Sequence, residues 1–75
     1  MKRALNIRIH REDGAFWATV DEFPGVFATG DTLEELHASL SEGVALCLAA
    51  PGEAAPDVSI SPLVEASTQV ELAYA

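Results

Sequence analysis

Two runs of alternating apolar and polar residues meet at Asp13-Gly14, and this junction restricts the chain more than any other feature of its 75 residues. Leu5, Ile7 and Ile9 alternate with Asn6, Arg8 and His10, while Phe16, Ala18 and Val20 alternate with Trp17, Thr19 and Asp21. That is the period of strands with one dry and one wet face. Asp-Gly between such runs favours a hairpin turn with positive φ at both central residues. Parity then sets the register. A two-residue loop puts Glu12 opposite Ala15, Ile9 opposite Ala18 and Ile7 opposite Val20, so the apolar residues share a face. A four-residue loop keeps this parity, whereas a three-residue loop sets Ile9 against Trp17 and mixes the faces. Trp17 falls with Arg8, His10 and Thr19 on the polar face. A tryptophan there either anchors an interface or packs against a neighbouring strand or a returning C-terminal segment.

The stretch from Asp21 to Leu36, DEFPGVFATGDTLEEL, joins this hairpin to a helix. Pro24 suits the second position of a turn and Gly25 can take positive φ after it, so the chain is expected to reverse there. Phe23 and Phe27 flank that turn, one expected to close the core and the other open to solvent. Val26 to Thr29 is long enough for a short third strand. Gly30-Asp31-Thr32 followed by Glu34 and Glu35 reads as a helix start. Asp31 or Thr32 can cap the free amides while a glutamate reaches back, and both acids suit the positive end of the helix dipole.

Leu33, Leu36, Leu40, Val44, Cys47 and Leu48 recur at helical spacing, which predicts a helix from about Thr32 to Ala49, ended by Pro51-Gly52. Gly43 interrupts it and points to a close approach to the sheet or a neighbour. Cys47, the single cysteine, is expected to be a small buried hydrophobe. Val58 and Ile60 predict a fourth strand ended by Pro62 or confined to an edge by it. Val70, Leu72 and Tyr74 alternate again, as an edge strand, a strand exchanged with a partner, or a tail ordered on binding. The expected class is α+β, an antiparallel sheet with one long helix on one face in the order βββαβ(β). Residues 1–75 form one domain, its core at about 4–64 and residues 65–75 a C-terminal strand or tail. The larger core side chains are expected to be Phe16, Val20, Phe27, Leu33, Leu36, Leu40, Val44 and the isoleucines of the first strand.

A chain this short has a small core, so a homodimer or higher oligomer, or another partner, would help it persist. No run approaches the ~20 apolar residues of a membrane span, and Lys2-Arg3 leads into an alternating strand rather than a signal-peptide core, so a cytoplasmic location is expected. All four basic residues, Lys2, Arg3, Arg8 and Arg11, precede all twelve acids, and the net charge is −8. Affinity for a phosphate backbone comes from lysine and arginine, so direct nucleic-acid binding is not expected. An acidic surface suits a basic protein partner, or simply keeps the domain soluble.

Catalysis finds little support in the residues. Asp21 and Glu22 end a strand, Asp31, Glu34 and Glu35 are accounted for by capping, and Asp57 could approach Asp21 only if the fourth strand neighboured the second. His10 and His37 make no metal motif with each other or with Cys47 and read as exposed histidines. No serine has nucleophile-elbow or triad spacing. No catalytic residue, metal or cofactor is therefore expected.

An acid at the end of a hairpin, an apolar residue with Pro24-Gly25, a short strand, Gly30-Asp31-Thr32 and a Leu33-Glu34-Glu35-Leu36 helix start together resemble the N-terminal domain of HicB-type antitoxins. The likeness covers about Leu5 to Leu48. It implies a degraded ribonuclease-H-like fold without nuclease activity, acting by binding and occluding a small basic HicA-type toxin that cleaves messenger RNA. Candidate contacts are Trp17, the acids Asp21, Glu22 and Asp31, and Gln69, Glu71 and Tyr74 of the terminal segment. Such antitoxins commonly carry a C-terminal DNA-binding module, which this sequence lacks, so autorepression by this chain alone is not expected. Two rivals remain: a stand-alone homodimeric HicB-like domain with a binding or structural role, and a residual metal-dependent nuclease.

Overall fold

The computed structural model describes residues 1–74. Five strands and one helix follow in the order β1 (Lys2–Glu12), β2 (Ala15–Val20), β3 (Phe23–Gly30), α1 (Leu33–Leu48), β4 (Val58–Ile60) and β5 (Gln69–Tyr74). The strands form one antiparallel, curled sheet in spatial order β3-β2-β1-β5-β4. The first hairpin has the register that parity requires, with Ile7 opposite Val20, Ile9 opposite Ala18 and Glu12 opposite Ala15. Asp13 (φ 52°) and Gly14 (φ 80°) form its two-residue turn, both with positive φ.

The second reversal differs from the sequence expectation. The chain turns at Asp21-Glu22, and Pro24-Gly25 lies inside β3, where Gly25 does not take positive φ. Pairing jumps from Thr19↔Phe27 to Val20↔Phe23, so Pro24, Gly25 and Val26 form a bulge on an edge strand. Proline has no N–H to give a ladder and is tolerated at such a place. The bulge still turns Val26 into the core, while Phe27 points to the other face and is 62% exposed. The expected core position of Phe27 is therefore corrected; Phe23, at the start of the strand, packs against the core instead.

Leu5 and Ile7 of β1, Ala18 and Val20 of β2, Val26 and Ala28 of β3, Leu36, Leu40 and Val44 of α1, Ile60, Leu63, and Val70 and Leu72 of β5 make a single buried cluster. The core thus reaches past residue 64 into the C-terminal segment. That segment is neither a free tail nor an outer edge, because β5 inserts between β1 and β4, with Leu5 opposite Val70 and Ile60 opposite Leu72.

Thr32 caps the helix by accepting from the Glu35 amide at 3.1 Å, and the Glu35 carboxylate accepts from the Asp31 amide at 3.2 Å. Gly30 packs so tightly beneath this turn that a Cβ there would lie 2.5 Å from the Leu36 amide nitrogen. Gly43 allows the close approach its position suggested, since a Cβ would meet Val26 at 3.1 Å. Cys47 departs from expectation and is exposed. It follows Leu40 and Val44 along the helix but lies at the margin of their stripe, and Leu48 beside it is the residue of the last turn that packs against the core.

The helix also closes the curl of the sheet. Ser39 Oγ accepts from the Thr29 amide of β3 at 3.2 Å, and His37 Nε2 lies 2.7 Å from the Ile60 carbonyl of β4. A carbonyl can only accept, so that ring nitrogen carries the hydrogen. His37 is thus a half-buried clamp rather than an exposed histidine. Both edge strands are blunted this way, β3 further by its bulge and β4 by its three-residue length.

Candidate protein-interaction face

One helix can cover only one side of a sheet, and the other side of this one is open. Register places Lys2, Ala4, Asn6, Arg8, His10 and Glu12 of β1 on it, with Trp17 and Thr19 of β2, Phe27 and Thr29 of β3, and Gln69 and Glu71 of β5. Across its middle runs an aromatic ladder. His10 stacks on Trp17 with ring centroids 4.0 Å apart and planes 14° from parallel, and Trp17 stacks on Phe27 at 5.6 Å and 26°. His10 and Phe27 are exposed and Trp17 is half-buried between them. Stacking fixes the rings before any partner arrives, so little side-chain freedom remains to be lost on binding.

The charges around the ladder are largely paired within the chain. Arg8 Nε lies 3.4 Å from Asp21 and Lys2 Nζ 3.9 Å from Glu71, while on the helix side Arg11 lies 3.6 Å from Glu65. All are well exposed, so each contributes little stability. Arg3 and Arg11, on the helix side by parity, lie over the rings of Phe23 and Phe16 at 5.4 and 5.6 Å and cover the ends of the core with their stems.

Glu22 is engaged inside the fold. Its two oxygens accept from the Asn6 amide and the Asn6 side chain, each at 2.8 Å. The carboxylate completes the ladder where β2 stops, and these bonds, led by the backbone one, hold its pKa below the ordinary 4.5 against the opposing effect of partial burial. The seven residues expected to contact a partner therefore divide. Trp17, Gln69 and Glu71 share the open face, and Asp21 joins them through Arg8. Glu22 is bound to Asn6. Asp31 sits at the helix start on another side. Tyr74 packs partly against the core with its hydroxyl 3.1 Å from Met1 Sδ. His10 and Phe27 were missed as ladder members. The hairpin register already paired His10 with Trp17, so that signal was available; Phe27 was hidden by the bulge.

Asp57 does not reach Asp21, because β4 neighbours β5 and two strands separate it from β2. Among the described residues no three His, Cys, Asp or Glu side chains are placed to hold a metal ion, and no helix is long and apolar enough to cross a membrane. On the helix side, an apolar cleft of about 300 Å³ opens between the first turns of α1 and the segment after β4.

The UPF0150-like family model matches residues 1–48, from β1 to the end of α1. The chain belongs to this family, an antitoxin-type, HicB-like group. No curated protein and no solved structure matches it significantly.

Proposed function

We propose that this domain is an antitoxin-like protein that binds a small basic, messenger-RNA-cleaving toxin of the HicA type and covers its active site. It inhibits by occlusion and carries out no turnover. The observation that supports this best is the pre-stacked ladder of His10, Trp17 and Phe27, left uncovered on the open sheet of a domain from an antitoxin-type family. Aromatic anchors in a polar surround are the common centre of a protein interface. Trp17, His10 and Phe27 form that centre in this proposal, with Asp21, Gln69 and Glu71 at its rim. The net charge of −8 adds long-range attraction for a basic partner and works against direct binding of nucleic acid. Cytoplasmic action and assembly as a homodimer or higher oligomer belong to the same proposal.

The test is to mix the purified protein with the product of its neighbouring gene. A stable complex and suppressed RNA cleavage are expected, with binding weakened roughly 30-fold or more by the double variant Trp17→Ala/Phe27→Ala. Absence of a complex sinks the proposal in favour of a stand-alone homodimeric domain. RNA cleavage by this chain alone with Mg²⁺ or Mn²⁺, abolished by Asp21→Asn, establishes the nuclease instead. Undiminished binding by a folded double variant removes the open face from the interface.

A further inference from the structure

The cleft on the helix side is lined by Leu33, Glu34, His37, Ile60, Pro62 and Leu63. We propose that it is a second docking site, independent of the open face, for an aliphatic side chain carried beside lysine or arginine in an extended segment of a protein partner. At about 300 Å³ the cleft has room for an aliphatic side chain. Four of the six walls are apolar. Of the two polar ones, His37 spends its Nε2 hydrogen on the Ile60 carbonyl at 2.7 Å. The charge at the wall is the exposed carboxylate of Glu34, and among the described residues no side-chain cation pairs with it.

The distribution of charge separates this site from the open face. There Asp21 and Glu71 are already matched by Arg8 and Lys2, whereas among the described residues Glu34 at the cleft has no side-chain cation beside it. An incoming base therefore gains more at the cleft. The walls are also preformed. Ser61 donates its amide to the Glu71 carbonyl and accepts the Glu71 amide on its Oγ, both at 3.0 Å. Val64 and Ser67 close the following loop, the Val64 amide to Ser67 Oγ at 3.0 Å and the Ser67 amide to the Val64 carbonyl at 2.9 Å. A rigid socket loses little freedom on filling. The cleft lies across the sheet from Trp17, and Ile60, Pro62 and Leu63 lie outside the residues that match the family.

Isotope-labelled full chain is titrated with three blocked pentapeptides, followed by amide NMR shifts: leucine between two lysines, leucine between two glutamates, and glycine between two lysines. Saturable shifts at Leu33, His37 and Leu63 are expected with the first peptide, with clearly weaker binding of the other two. Glu34→Lys, an exposed substitution that leaves the core untouched, should weaken the first peptide roughly threefold or more. Trp17→Ala should leave it unchanged, which separates this site from the toxin-binding proposal. No saturable shift, equal shifts with all three peptides, shifts that map to the open face, or indifference to Glu34→Lys overturns the inference.

Discussion

The two faces of this sheet are built from the same five strands but carry opposite kinds of apolar surface. The covered face uses aliphatic residues that disappear from solvent: Leu5, Ala18, Ala28, Leu36, Leu40, Val44 and Leu72 are all 0% exposed. The open face concentrates its apolar area in aromatic rings that stay at the surface and order one another by stacking. Aliphatic burial stabilises the fold through area removed from water and close packing. An aromatic ladder left outside contributes less to folding and leaves its area at the surface. Under the proposed function the faces separate stability from recognition, and substitutions on each should affect different measurements.

Leu36→Ala should show the largest effect, a loss of about 3 kcal/mol by urea unfolding, since the side chain is fully buried beneath the helix. A loss under about 1 kcal/mol would mean that the helix is not the principal cover of this face. Gly30→Ala comes next, at about 2 kcal/mol, because its Cβ meets backbone at 2.5 Å and the helix start must shift. Equal melting of variant and parent would show that this junction is looser than the structure has it. Trp17→Ala should cost only about 1 kcal/mol in folding while removing most partner affinity, and reversal of that ratio would end the division between the faces.

The smallest effect is expected from Glu22→Gln and is read against pH. A carboxylate whose folded pKa is lowered favours the folded state above its ordinary value of 4.5 and loses that contribution as pH falls through the lowered value. The parent should therefore lose stability on acidification below pH 4.5 more steeply than the variant, and their urea midpoints should converge. Parallel acid limbs would remove Glu22 as an electrostatic tie at the end of β2.

Two Pro-Gly pairs show how far local reading reaches. Pro51-Gly52 makes a turn, with Gly52 at φ 81° and the Glu53 amide donating to the Ala50 carbonyl at 3.0 Å. Pro24-Gly25 has the same turn chemistry and makes none, because Asp21-Glu22 has already reversed the chain and Glu22 is anchored on Asn6. The first pair is free to follow its preference, while the second is overruled by strand pairing on both sides. Cys47 gives the same lesson for the helix: its angular position was legible, but its exposure at the margin of the buried stripe was not. In the candidate interface, Trp17 could be placed by parity and its stacking with His10 followed from register, whereas Phe27 depended on the bulge.

Residues within a few positions of one another were enough to specify the Asp13-Gly14 hairpin, its register, the capped start of the helix and the α+β class, because turn, cap and alternation rules act over one or two turns of chain. The insertion of β5 between β1 and β4, the reach of His37 to β4 and the cleft beside Leu63 arose from segments tens of residues apart, and the bulge that turns Phe27 outward and the bond of Ser39 to β3 from how neighbouring elements pack together. Such pairings are won by competition for one shared core and for the remaining backbone hydrogen bonds, and no local stretch of chain carries the terms of that competition.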